Sequence, residues 1–329
     1  MEGNVVKKRY VEVDSLKGFA IFLVVLGHGI ILFPINIKEM YMGCKFLYDF
    51  IYLFHMPLFF FISGFCFSYH DDYSNFIRKK IKRLLLPYCY FGVFDAIVRL
   101  CLVKYVNRPA DIESIVVDFL FYGGEYWFLY VLFGIFVFYP VVYNLYKDKK
   151  YILPISMIVL WLACSHVIVI KEFRLDSVFY HLVYFNSGCL LKVFFDEAKR
   201  LKITRYQPIL LFIPVLLAMC FAAWMDAYRG LGSEYKVVVA FMGIFFSWLL
   251  TRFQLFNCFF SRFGKYSLQL YLFNGFSLGA SRMLICNVMD VAEPTLIILL
   301  NVLIDFFVMY IIVKYFFEKI KILRIMMGL

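Results

Sequence analysis

The sequence predicts an all-α, polytopic membrane protein with about ten transmembrane helices and both termini in the cytoplasm. Three observations carry this. The 329 residues are 64% hydrophobic and 21% aromatic, with a mean hydropathy of +0.80, well beyond the composition of soluble domains. The apolar residues gather into runs of about 20, the length at which a helix crosses a bilayer. The segments between the runs alternate between basic-rich and basic-poor. The ten-residue alternating segments of a membrane β-barrel are absent.

In chain order the apolar runs fall at 16–33, 46–69, 84–105, 127–146, 151–170, 178–195, 207–225, 235–251, 264–284 and 295–317. The first follows a basic start (Lys7, Lys8, Arg9), as a signal peptide would. It carries Asp14, Lys17 and His28, however, and no small-residue cleavage site follows, so it reads as a retained helix. Segment 113–122 is apolar but too short to span, which suits an interfacial position. No repeat, low-complexity tract or long linker interrupts the pattern. The expectation is one membrane-embedded domain over 1–329, with no appended soluble domain.

Orientation follows from the basic residues. One side holds 22 of the 34: those at 7–9, the run Arg78, Lys79, Lys80, Lys82 and Arg83, and clusters at 147–150, 199–205, 252–265 and 314–324. The other side holds nine. The positive-inside rule places the first side, with both termini, in the cytoplasm. The net charge of +11 is thereby explained by topology, and no nucleic-acid partner is expected. The nine cysteines form no CxxC or Cys/His cluster of metal-site spacing, so no metal is expected. Cys44 and Cys286 fall in predicted loops, where pairing stays open.

Ionisable groups at membrane depth are costly and read first as functional. Lys17 and His28 are eleven residues apart on one predicted helix. That puts them within roughly 20° of one face and about 16 Å apart along the axis. The spacing suits one long substrate gripped at a charged end and reacting at the other. The alternative for His28 is a structural hydrogen bond. His55 lies at similar depth in the second run, beside Pro57, which removes a backbone donor and is expected to bend the helix. It is either a cavity wall or the partner of a freed carbonyl. Asp14, near the same face as Lys17, either caps the first helix or pairs with Lys17. Arg78, Lys79, Lys80 and Arg83 are either ordinary topology anchors or, with Lys17, a phosphate site, since guanidinium and ammonium groups bind phosphate well. On the other side, Glu125 beside Trp127 is either part of an interfacial aromatic belt or a sugar-binding mouth. Asp95 and Arg99, at i and i+4, are expected to pair. Asp305 has no assigned role.

These motifs, in this order, resemble the acyltransferase-3 family of integral membrane O-acyltransferases. The resemblance rests on Asp14-Ser15-Leu16-Lys17-Gly18 through Gly27-His28, then on Phe54-His55-Met56-Pro57-Leu58 to Ser63-Gly64-Phe65. It continues with the basic run into Arg83-Leu84-Leu85-Leu86-Pro87-Tyr88, Trp127-Phe128-Leu129, and Phe263-Gly264-Lys265-Tyr266-Ser267-Leu268-Gln269-Leu270-Tyr271. It covers essentially the whole chain. One departure stands out: many members carry a histidine shortly after that last tyrosine, where this chain has Asn274.

The resemblance implies ten helices in a bacterial plasma membrane, cytoplasmic acetyl-coenzyme A or another acyl-coenzyme A as donor, and transfer to a hydroxyl of a cell-surface glycan or its lipid-linked precursor. On this reading His28, His55 and Glu125 serve catalysis. Lys17, Arg78, Lys79, Lys80 and Arg83 hold the donor, and Asp14, Ser63 and Trp127 contribute to substrate binding. His28 acts either as general base or as an acylated relay. The rival readings are a transporter or flippase for a glycan or lipid-linked sugar, and an export component.

Overall fold

The computed structural model describes residues 10–31, 36–70, 72–101, 111–146, 151–165, 170–198, 207–230 and 232–328, and every regular element among them is helical. Seventeen α-helices follow in order: α1 Val11–Ile31, α2 Ile37–Met40, α3 Met42–Tyr52, α4 His55–Phe65, α5 Tyr73–Lys80, α6 Leu86–Cys101, α7 Ile112–Val117, α8 Trp127–Leu145, α9 Ile152–Ser165, α10 Leu175–Ala198, α11 Gln207–Arg229, α12 Ser233–Leu250, α13 Gln254–Gly264, α14 Ser267–Met283, α15 Pro294–Leu303, α16 Met309–Tyr315 and α17 Lys321–Met326. Single π-helical turns join α5 to α6 (Ile81–Leu85) and α15 to α16 (Ile304–Val308).

Five helical stretches are long and apolar enough to cross a membrane: Val11–Ile31, Met42–Phe65, Tyr73–Cys101, Ile112–Leu145 and Pro294–Lys319. A sixth exists if Tyr235–Leu250 and Gln254–Gly264, bent by 109°, form one broken span. Each of the ten apolar segments overlaps a helix, but among the described residues only these meet that test. The short segment 113–122 forms α7 and a π-helical turn, and Gly123 and Gly124, both at positive φ, separate it from α8 within the apolar stretch Ile112–Leu145. The basic residues at 7–9, 147–150 and 199–205, with Lys104 and Arg108, lie outside the described residues.

Lipid tails are as apolar as leucine, so helices in a bilayer associate through close packing rather than through loss of water. Glycines supply that packing here. On α1, a Cβ at Gly18 would overlap the Phe260 carbonyl, and one at Gly264 of α13 would overlap the Asp14 carbonyl. On α4, Gly64 meets the Phe185 carbonyl of α10, and Gly188 returns the contact at Phe61. Around these seams Ala20, Ile21, Leu58, Phe60, Leu129, Tyr184 and Phe185 are fully buried. Ile213, Leu217 and Phe221 form an exposed stripe on α11, the surface expected to face lipid.

Three local expectations are corrected. The second span does not bend at Pro57. The break falls at Leu53 and Phe54, and Pro57 sits in the first turn of α4, where its missing N–H is one of the helix's orphan donors. Asp14 does not cap α1, which begins at Val11. It lies in the first turn, nearly buried, where a carboxylate suits the helix dipole. Cys44 and Cys286 lie in α3 and a π-helical turn rather than in loops, and both are free thiols packed on Ile37 and Ile285.

Candidate active site

The site forms around Gly27-His28-Gly29 on α1. Residues 27 and 29 project to nearly opposite faces, about 200° apart, and each glycine admits a neighbour. A Cβ at Gly27 would collide with the Tyr52 ring of α3, and one at Gly29 would press on Val302 of α15. The two glycines let α3 and α15 close on either side of His28, whose own face turns to α14. There Nδ1 of His28 lies 2.6 Å from Nδ2 of Asn274. Asn274 is nearly fully buried, and its Oδ1 has no hydrogen-bond partner. The position at which the sequence departs from the resembled pattern is therefore the position that touches the central histidine.

His55 opens α4, buried, with Nδ1 2.9 Å from the Ile51 carbonyl and its ring 4.6 Å from that of Tyr52. It bonds the Ile51 carbonyl, which also accepts the Phe54 N–H at 3.2 Å, and it stands near His28, close enough for their charges to interact.

Glu125 reaches the site from the opposite flank. Gly123 and Gly124 both adopt positive φ, 77° and 51°. Side-chain-bearing residues rarely adopt this conformation. The turn they make delivers Glu125 and Tyr126 to the start of α8. Arg99 pairs with Asp95 at 2.7 Å, as expected, and also with Glu125 at 2.5 Å. Asp95, Arg99 and Glu125 thus form one chain of charge, and Glu125 lies within electrostatic reach of His28 and Tyr271. The Tyr271 hydroxyl donates to the Glu125 carbonyl at 3.3 Å.

Trp127 belongs to a neighbouring aromatic group. Its ring centroid is 5.5 Å from that of His181 and 6.4 Å from that of Phe60, and the Arg174 guanidinium lies over it at 5.7 Å. Ser63 donates to the Phe59 carbonyl at 2.8 Å, one turn back on its own helix. Lys17 lies on α1 between Asp14 and Gly18, at the end of the helix that packs on α13. Since α1 runs unbroken to Ile31, the separation of about 16 Å from His28 holds. Arg78, Lys79 and Arg83 are exposed on α5 and its π-helical turn, and Lys80 lies 3.8 Å over the Phe136 ring. The basic run is thus braced on α8 through Lys80, whereas Lys17 stands on α1 next to Gly18 of the α1–α13 seam.

A buried polar ladder that sequence reasoning missed continues outward along α14. Ser277 donates to Asp305, Asn301 donates to the Leu278 carbonyl at 3.0 Å, and Arg282 donates to the Gly29 carbonyl. Arg282 is fully buried, with Nε and Nη1 unpartnered. Polar residues at positions 274, 277, 281 and 282, all on an apolar segment, were the signal for this ladder. His181 was overlooked as an ordinary residue of an apolar run.

The acyltransferase-3 family, described as an acyltransferase domain, matches residues 10–314, and the chain belongs to that family. Its apolar helices fit a multi-pass membrane protein. A similar curated protein is the nodulation protein NolL of Sinorhizobium fredii (strain NBRC 101917 / NGR234), 26% identical over 227 residues. That alignment covers 67% of this chain and 59% of NolL, so the chain spans less than two thirds of that relative's length. No solved structure matches.

Proposed function

We propose that this protein is a membrane acyltransferase that moves an acetyl or similar acyl group from cytoplasmic acyl-coenzyme A to a hydroxyl of a cell-surface glycan or its lipid-linked precursor. On this reading it works across ten spans of a bacterial plasma membrane, with both termini cytoplasmic. The observation that carries the reading is the His28–Asn274 contact, set one pantetheine length from Lys17 on an unbroken helix. Lys17 grips the donor's phosphates, with the Arg78–Arg83 run beside the entry.

The chemistry needs His28 neutral, with a free ring lone pair. If the Asn274 amide presents its oxygen, Nδ1–H donates to it and Nε2 is left as the base. If it presents its nitrogen, the ring proton sits on Nε2. General-base catalysis uses the first arrangement. Nε2 then takes the proton of the acceptor hydroxyl, the hydroxyl oxygen attacks the thioester carbonyl, and the C–S bond breaks. The proton passes to the departing thiolate, so no net proton is consumed. His55 supports the site beside His28. Glu125, held by Arg99, receives acceptor hydroxyls, with Asp14, Ser63 and Trp127 contributing to binding.

The test uses purified protein with radiolabelled acetyl-coenzyme A. His28→Ala should abolish turnover of the donor while expression and thermal stability survive. Near-wild-type turnover in that variant would overturn the assignment. Indifference of the wild type to both acetyl- and succinyl-coenzyme A would favour transport. Lys17→Gln should raise the donor KM roughly 10-fold with kcat retained, the pattern of a lost ground-state grip.

A further inference from the structure

A cavity of about 680 Å³ lies between α13 and α16, away from His28. Its walls are Phe259, Phe263, Phe307, Tyr310 and Ile311, and Arg262, Lys265 and Lys314 also line it. The three cations are not equivalent. Lys265 is neutralised by Glu318 at 2.8 Å, and Glu318 also accepts from the Tyr266 hydroxyl at 2.6 Å. Arg262 and Lys314 have no carboxylate within ion-pair distance among the described residues. Arg262 has only the Cys258 sulfur at 3.9 Å, and Lys314 hovers 5.4 Å from the Tyr310 ring and 5.0 Å from the Tyr315 ring. The cavity therefore pairs two uncompensated positive charges with an aromatic wall. Phe259, Phe307 and Ile311 are each 38–49% exposed. Arg262 and Lys265 belong to the basic-rich set of connecting segments, the side at which basic pockets between helices collect anionic head groups.

We propose that this cavity binds an anionic phospholipid. Its phosphate lies between Arg262 and Lys314, and one acyl chain runs along Phe259, Phe307 and Ile311. The ligand chemistry is a phosphate on an apolar tail. A soluble phosphate compound, the nucleotide end of coenzyme A included, would use the two cations but leave the exposed aromatic wall uncovered, so the lipid is the occupant the walls fit. Because α13 also packs on α1 through Gly18 and Gly264, the bound lipid would brace the seam that positions Lys17.

The experiment titrates the full-length protein in detergent with a fluorescent phosphatidylglycerol and, separately, with a phosphatidylcholine of the same chains. Wild type should prefer the anionic lipid. Arg262→Gln with Lys314→Gln should weaken that binding about 30-fold, each charge near the surface contributing a factor of about 5. Arg262→Lys with Lys314→Arg should restore it. Equal affinity of wild type for both lipids, or unchanged binding in the double variant, overturns the proposal. Displacement of the lipid by coenzyme A or inorganic phosphate reassigns the cavity to a soluble ligand and also overturns it. Should the double variant fail to fold, either single glutamine variant suffices, and a full-affinity result in both is equally fatal.

Discussion

Helix α1 has two working faces, and they are built in opposite ways. Toward α13 it is bared at two points: Gly18 and Gly264 carry no side chain, so backbone meets backbone at Phe260 and Asp14, and beside them the Phe19 and Phe22 rings pack on Phe256 and Phe260. Toward α14 it is furnished with polar groups: His28 meets Asn274, and the Gly29 carbonyl takes Arg282. The first face is held by close packing, the usual glue between helices in lipid, with one long hydrogen bond from the Ser15 hydroxyl to the Asn257 carbonyl at 3.5 Å. The second leaves Asn274 Oδ1 and two Arg282 nitrogens without partners. In an apolar medium such orphans are costly. The bare face fixes where α1 stands, and the furnished face is where chemistry has somewhere to happen.

Breaking the bare face should have the largest effect. Gly264→Val places a side chain where the Asp14 carbonyl already sits, and neither backbone can yield without parting α1 from α13. The expected outcome is loss of folded, monodisperse protein in detergent chromatography. Gly279→Ala is the control. A Cβ there meets nothing within 4 Å, so that variant should be recovered at wild-type yield. Recovery of Gly264→Val at the same yield would mean the seam is looser than its geometry.

Disturbing the furnished face should leave the fold standing and cost activity. Asn274→Ala removes the one group bonded to the His28 ring among the described residues and should lower kcat by about 100-fold, the lower range for an impaired acid–base step. Asn274 acts through His28, so the donor KM should hold while the pH–rate profile shifts. Asn274→His restores a ring at the same place and should recover part of the rate. A parallel fall in kcat and thermal stability would make Asn274 a packing residue.

The two faces were not equally legible in the sequence. The apolar runs announce helices directly, because a span needs length and composition and both are written locally. His28, Lys17, His55 and Glu125 stand out because charge and imidazole are rare in such runs. The Asp95–Arg99 pair was readable from its i, i+4 spacing, but its extension to Glu125 was not, since that partner is 26 residues away. Asn274 was visible only as a departure from a pattern, because nothing in its neighbours says that α14 lies against α1. Gly18 and Gly264 are ordinary glycines until their partners, some 240 residues apart, are brought together. The bent junction between α12 and α13 likewise hid how many spans the chain makes.

The smallest effect sharpens the comparison from the outer end of α15, the helix that brings Val302 against Gly29 and Asn301 into the polar ladder. Glu293 caps it, its side chain accepting from the Leu296 N–H at 2.5 Å, with Pro294 at the first helical position. That backbone hydrogen bond holds the exposed carboxyl below its ordinary value of 4.5. A carboxyl depressed in the folded state stabilises it above the ordinary value, and the stabilisation fades as pH falls through the folded one. Glu293→Ala should therefore speed amide exchange in the first turn of α15 at pH 7, and the difference from wild type should close at a pH well below 4.5. His28 turnover should barely register the change, because the cap governs how firmly α15 begins and not where Asn274 meets the imidazole. A large loss of activity in Glu293→Ala would show that the furnished face depends on α15 as strictly as the bare face depends on α13.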